Sequence, residues 1–337
     1  MNTDATLIGL RRDQIDTPAL LIDLDALERN IQRMADFFRD RPAHLRPHAK
    51  THKTPQIARL QLAAGAPGVT CAKVGEAEVM VAGGITDILI ANQIVGPTKI
   101  ARLMSLCRQA KVTVAVDDPQ NVAALSRAAQ DFGTMLGILV EVNVGMNRCG
   151  VEPGEPALAL ARQVIAAPGL EFRGLMGYEG HCVAIPDRDR RESEARKAMT
   201  LLVDTARYLE SYGLPVHEVS GGGTGTYDIS GQFPGVTEIQ AGSYVTMDAS
   251  YRKLDLGFEC ALTMLTTVVS RPARDRAVCD AGLKAITTEF GLPVVKDLPG
   301  ANLVRLSEEI NLNERFYGLR DGRVEVVWPI AARGRTA

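Results

Sequence analysis

Between residues 43 and 243 the chain alternates short apolar runs with helix-like stretches, and this rhythm limits its architecture more than any other feature. Eight runs read as strands: AHLRPHAK (43–50), GVTCAK (68–73), DILIAN (87–92), VTVAVD (112–117), GILVEVNV (137–144), EFRGLMGYEG (171–180), VHEVSG (216–221) and EIQAGS (238–243). Between most of them lie amphipathic stretches with recognisable ends. TPQIARLQLAAGA offers Thr54 as N-cap, Pro55 at the first helical position and Gly65 as a stop. Strand–helix alternation implies parallel pairing through right-handed crossovers, and eight units in this length fit a (β/α)8 TIM barrel. A doubly wound open sheet would call for a G-x-G-x-x-G turn after its first strand, and the chain has none there.

From about residue 257 the rhythm changes. ALTMLTTVVS, RAVCDAGLKA, NLVRLS and RVEVVWPIAA read as strands without long helices between them, so a smaller C-terminal β domain is expected over 257–337 after a barrel over 17–256. The opening strand, ALLIDL (19–24), precedes the barrel and is expected to pair with that domain. The chain has 337 residues, 46% apolar and 23% charged, with a formal net charge of -2. That balance argues against nucleic acid or an anionic membrane as the main partner. No apolar run reaches the roughly 18 residues of a membrane span. The six cysteines form no C-x-x-C pair, which points to a reducing, cytoplasmic setting.

In a (β/α)8 barrel the working residues sit at the C-terminal ends of the strands, and the loops after strands 7 and 8 commonly hold a phosphate. The seventh run leads into SGGGTGT (Ser220–Thr226) and the eighth into AGSY (Ala241–Tyr244). Glycines there let the backbone present N–H groups to an anion, although the same composition also suits a plain flexible turn. The first run contains RPHAKTHKTP (Arg46–Pro55), two histidines and two lysines within eight positions. Period-two alternation puts Arg46, His48 and Lys50 on one face, with Lys50 last. A lysine at the barrel mouth facing a phosphate site suggests a Schiff base with pyridoxal 5′-phosphate, its amine freed by burial and by Arg46 and His48 as cationic neighbours. A salt-bridged lysine at a strand end fits the pattern equally well.

Seven segments carry a resemblance: RPHAKTHKTPQIA, CAKVGEAEVMVAGG, VEVNVGMNRCGV, GLMGYEGH, VSGGGTGTY, EIQAGSYVTMD and DAGLKA. In order and spacing they resemble the D-threonine aldolase / D-serine dehydratase family of fold-type III pyridoxal-phosphate enzymes, with an alanine-racemase-like barrel. The 3-hydroxy-D-aspartate aldolases within that group look especially similar. The resemblance implies that Lys50 binds the cofactor covalently and that Arg148 meets its phenolic oxygen. It places Tyr178 against the pyridine ring and Gln240 at the ring nitrogen. Ser220, Gly222, Gly223, Thr224, Gly242, Ser243 and Tyr244 match the cofactor-binding cradle, and His48 and His181 fall at the substrate pocket. It also implies a homodimer and a small D-amino acid substrate bearing a β-hydroxyl. Cleavage to glycine and an aldehyde is the leading activity, with dehydration, racemisation or cofactor binding without turnover as alternatives.

One departure stands out. The family holds a divalent metal (Mg, Mn or Zn) through a C-terminal histidine and a nearby Cys or Asp. This chain passes from LSEE (306–309) straight into INLNERFYG (310–318), and no histidine follows His217. The expectation is therefore a C-terminal domain shortened at 309/310, with no ligands for that metal.

Overall fold

In the computed structural model, which describes residues 7–288, 291–298, 300–307, 310–313 and 322–327, the eight runs form one parallel sheet. After β1 (Ala19–Ile22), the strands are β2 (His44–Leu45), β3 (Val69–Cys71), β4 (Asp87–Gln93), β5 (Lys111–Val116), β6 (Leu136–Glu141), β7 (Leu170–Gly177), β8 (Glu218–Gly221) and β9 (Glu238–Ile239). Their spatial order is β2-β9-β8-β7-β6-β5-β4-β3. A parallel bridge between His48 and Thr70 closes the circle. There the Thr70 N–H donates to the Pro47 carbonyl at 2.9 Å and its hydroxyl to the Arg46 carbonyl at 3.1 Å. The barrel architecture expected from the rhythm is the one observed.

Helices follow the strands: α1 (Leu24–Phe38), α2 (Pro55–Ala63), α3 (Val74–Ala82), α4 (Pro97–Cys107), α5 (Pro119–Phe132), α6 (Glu155–Ala166), α7 (Arg188–Ser211) and the short α8 (Tyr227–Ser230). Local chemistry sets their ends. Asp118 accepts the Gln120 and Asn121 N–H groups at the start of α5, Pro119 fills the first helical position, and Gly133 closes it in the left-handed conformation. A cap of that kind is worth about 1 kcal/mol. Leu89, Ala115, Leu139 and Met176, one from each of β4 to β7, pack together in a buried cluster. Truncating Leu139 to Ala would cost about 2–5 kcal/mol through lost burial and a cavity.

The chain divides after Arg29 and after Tyr244. Residues 30–244 make one compact unit, the barrel; the flanking N-terminal residues and those from 245 onward make the other. The second unit is a seven-stranded antiparallel sheet of β10 (Leu262–Ala273), β11 (Arg276–Cys279), β12 (Val294–Val295), β13 (Asn302–Leu306), β14 (Ile310–Asn313), β15 (Arg323–Val327) and β1. β1 pairs with β10, Ala19 opposite Leu265. Met264, Ala277, Cys279, Ile310 and Val326 are among its buried core. The expected last strand, 323–332, lies outside the described residues beyond Val327.

Candidate active site

Lys50 is not the last residue of a straight strand. Beyond Leu45 the pairing continues through the Arg46 and His48 N–H groups, which donate to Ile239 and Ala241, and after the His48 bridge the chain curls into a 3-10 turn, Ala49–Thr51. Two features make it curl. The His48 Nδ1 accepts the Lys50 N–H at 3.3 Å, and the Ala49 carbonyl takes the His52 and Lys53 N–H groups. The turn leaves Lys50 half-buried at the C-terminal end of the strand, on the mouth of the barrel. Lys53, three positions on, has its side chain 65% exposed and pairs with Glu76 at 2.9 Å.

Burial first, and then the Arg148 guanidinium, lower the Lys50 ammonium to about 8, with Glu76 pulling weakly the other way. The cation beside it is therefore Arg148 rather than the expected Arg46 or His48. Burial holds His48 far below its usual range, and Lys50 and His52 add to the effect, so this imidazole is neutral. Arg46 is committed elsewhere: its Nε donates to Glu238 at 2.6 Å and its Nη1 to Asp87 at 2.6 Å.

Tyr178, one residue beyond β7, marks where the pieces meet. Lys50 Nζ lies 5.9 Å from its ring centroid and the Arg148 guanidinium carbon 5.6 Å. Arg148 reaches this spot from the loop after β6, with Glu141 at 4.0 Å behind it. A Cβ placed on Gly223 would come within 3.2 Å of the same ring, so the glycine loop after β8 abuts it. His181, on the Tyr178 turn, is exposed, and its ring would sit 3.3 Å from a Cβ on Gly145.

The two glycine loops make a cradle. A Cβ on Gly225 would fall 1.7 Å from the Val183 carbonyl, and one on Gly242 2.6 Å from the His48 carbonyl. Side chains are thus excluded where the first loop meets Val183 and where the second runs beside the Lys50 turn. The Gly222 N–H is taken by Glu179 at 3.0 Å and the Gly223 N–H by Thr226 Oγ1 at 3.2 Å. The N–H groups of Thr224, Gly225, Gly242 and Ser243 have no internal acceptor among the described residues, although all four residues are buried. Buried N–H groups are rarely left so, and several converging ones form an anion nest. The Thr224 hydroxyl accepts the Tyr244 N–H at 3.1 Å, which leaves its own proton to donate. This chemistry fits a phosphate.

Two expected cradle residues have their hydroxyls committed elsewhere, Ser220 and Tyr244. Ser220 points into the barrel and donates to Glu238 at 2.7 Å, because that buried carboxylate claims its proton. Gln240 donates to Ser220 Oγ at 2.8 Å. The Tyr244 hydroxyl accepts from Gln61 of α2 at 2.9 Å, while its backbone N–H donates to the Thr224 hydroxyl. Burial pushes Glu238 up, but His44, Arg46 and Ser220 outweigh it and bring the carboxyl down to about 2.

Three carboxylates around the site escaped sequence reasoning: Glu141, Glu179 and Glu238, all buried. Glu141 accepts from Gln93 at 2.5 Å, and burial raises its pKa. A glutamate in an otherwise apolar strand such as GILVEV was the available signal for Glu141. For a metal, the residues present do not fit: among the described residues no group of three or more His, Cys, Asp or Glu side chains is poised to hold an ion. Nor does any helix among them have the length and apolarity to cross a membrane.

A parallel barrel with a half-buried lysine at its mouth and an anion nest beside it defines a class: barrel enzymes that hold a phosphorylated cofactor on a lysine. The chain belongs to the alanine racemase family, its residues 22–250 matching the model for the alanine racemase N-terminal domain and 261–314 that for a putative serine dehydratase domain. It is 38% identical to a D-threonine aldolase of an Arthrobacter species, over 95% of this chain and 93% of that one. It is equally 38% identical to a 3-hydroxy-D-aspartate aldolase of Paracoccus denitrificans (strain Pd 1222), over 98% and 95%. The crystal structure of D-threonine aldolase from Filomicrobium marinum superposes with a TM-score of 0.90 at 41% identity, covering 94% of this chain and 88% of that one. Relatives named as dehydratases match less well, at 30% and 23% identity. The Paracoccus match extends over 367 residues whereas this chain has 337, so that relative carries at least 30 residues that this chain lacks.

Proposed function

We propose that the protein is a pyridoxal-phosphate-dependent lyase that cleaves β-hydroxy-D-amino acids, of the D-threonine or 3-hydroxy-D-aspartate type, into glycine and an aldehyde. The observation that carries this reading is the convergence of Lys50 and Arg148 on the Tyr178 ring beside the open N–H groups of two glycine loops. When bound, the cofactor supplies an electron sink for the breaking Cα–Cβ bond. The chain's own residues do the rest. Lys50, with its pKa near 8, offers a neutral amine at mildly alkaline pH for covalent attachment. Arg148 presents a guanidinium to the cofactor's phenolic oxygen. Tyr178 packs against the ring, and Thr224, Gly225, Gly242 and Ser243 hold the phosphate. Gln240, fixed by Ser220, faces the ring nitrogen; an amide supplies no carboxylate to hold that nitrogen protonated. His181, exposed beside the mouth, takes the β-hydroxyl proton, and the buried neutral His48 shapes the Lys50 turn.

The test is direct. Purified protein with pyridoxal phosphate should release glycine from D-threonine or 3-hydroxy-D-aspartate, and His181→Ala should lower kcat. Release of ammonia and an oxo acid instead would reassign it as a dehydratase. One observation favours a second reading, a cofactor-binding protein without turnover. The histidine-bearing metal site that the resemblance implies has no imidazole available after His217. Cofactor capture without glycine release from any of these substrates would decide for it, and turnover strongly stimulated by manganese would contradict the metal-site assignment. We also expect a homodimer, as light scattering would report.

A further inference from the structure

We infer that Glu179 is a positioning residue that shapes the phosphate cradle without touching the ligand. Its carboxylate is fully buried. One oxygen accepts the Gly222 N–H at 3.0 Å. The other accepts the Thr226 hydroxyl at 2.7 Å and the Ser230 hydroxyl at 2.6 Å. No Lys, Arg or His pairs with it among the described residues. A buried carboxylate without a counter-charge is costly, so its retention calls for a reason.

The bonding pattern supplies one. Glu179 follows Tyr178 on the turn after β7, whereas all three donors belong to the loop and short helix after β8. It therefore ties the ring-facing turn to the glycine loop. Because Thr226 gives its proton to Glu179, its oxygen is oriented to accept the Gly223 N–H at 3.2 Å. Two successive loop N–H groups, 222 and 223, are thereby turned inward. The next two, 224 and 225, are left open, and these are the ones the cradle presents. A Gly-Gly-Gly-Thr-Gly segment has many backbone conformations of similar energy. Gly222 itself holds φ at +76°. A three-point anchor removes that freedom before the ligand arrives, which is how preorganisation raises affinity.

The inference rests on the cofactor reading above, and its test separates the two. Binding of pyridoxal phosphate and of pyridoxal, which lacks the phosphate, is measured on the apoprotein by absorbance titration, with thermal unfolding as the folding control. In Glu179→Ala the affinity for pyridoxal phosphate should fall about tenfold or more while that for pyridoxal changes less than about threefold. Glu179→Gln keeps an acceptor for Gly222 and should recover most of the loss. Ser230→Ala removes one donor with little change in volume; it should shift the ratio the same way by less, and it serves if Glu179→Ala does not fold. Equal losses for both compounds, or a phosphate preference undiminished in folded variants, would overturn the inference alone. A wild-type protein that binds neither compound would sink the cofactor reading and this inference with it.

Discussion

Arg46, buried, and Lys50, half-buried, are cations four positions apart on the same stretch of chain, and the fold treats them in opposite ways. Arg46 is saturated: Glu238 and Asp87 grip its guanidinium, and Lys111 lies 3.3 Å from Asp87 on the far side. Burial disfavours its charge, but the two carboxylates outweigh it and raise its pKa. Lys50 has no carboxylate in ion-pair reach among the described residues, and the charge that acts on it most is a second cation, Arg148. Neutralised charge at Arg46 serves the architecture. Uncompensated charge at Lys50 has no architectural use, and a perturbed amine in a cleft is the signature of a working group. The contrast supports the proposed role of Lys50 without reference to any relative.

Replacing each cation tests that contrast. Arg46→Ala strips the buried Glu238 of its guanidinium, leaving it only His44 and Ser220, and should cost about 3–5 kcal/mol in denaturant unfolding. The same network adds an acid limit. Glu238 has its folded pKa near 2, below the ordinary 4.5, so its contribution is present above 4.5 and lost as pH falls toward 2. Lys50→Ala should instead leave the apoprotein at least as stable as wild type, since it removes a half-buried charge with no ion-pair partner among the described residues, and should abolish the visible absorbance of bound cofactor. A large loss of stability in Lys50→Ala would erase the distinction.

A finer prediction concerns pH. The amine reacts when neutral, so the rate of cofactor capture should rise with pH through a midpoint near 8 rather than the ordinary 10.5. Arg148→Gln removes a group that lowers the Lys50 pKa and should move that midpoint upward. A midpoint unmoved by Arg148→Gln would assign the shift to burial alone. The smallest effect belongs to Lys53, whose exposed pair with Glu76 should contribute less than about 1 kcal/mol. Lys53→Ala should change stability little and leave cofactor absorbance intact.

Periodicity made the eight strands legible, because a parallel barrel repeats the same hydrophobic demand at each strand. The two glycine-rich loops were legible because an anion nest needs small residues at strand ends. The place of Lys50 at the strand end was legible by register, although the register ends at His48 and a 3-10 turn delivers the side chain. What the sequence concealed are partnerships across long separations. Arg46 meets Glu238 across 192 positions, and Glu179 meets Ser230 across 51. No local pattern announces which carboxylate a buried cation or loop will find. The turned-away hydroxyls of Ser220 and Tyr244 were hidden for the same reason: their directions follow from Glu238 and Gln61, which lie elsewhere in the chain.

The account turns on Lys50 being the residue that takes the cofactor, and borohydride trapping reads this directly. Protein incubated with pyridoxal phosphate at pH 8.5, reduced and digested, should carry one phosphopyridoxyl group, on the peptide containing Lys50. A group on Lys53 instead, or no fixed group at all, would contradict the account.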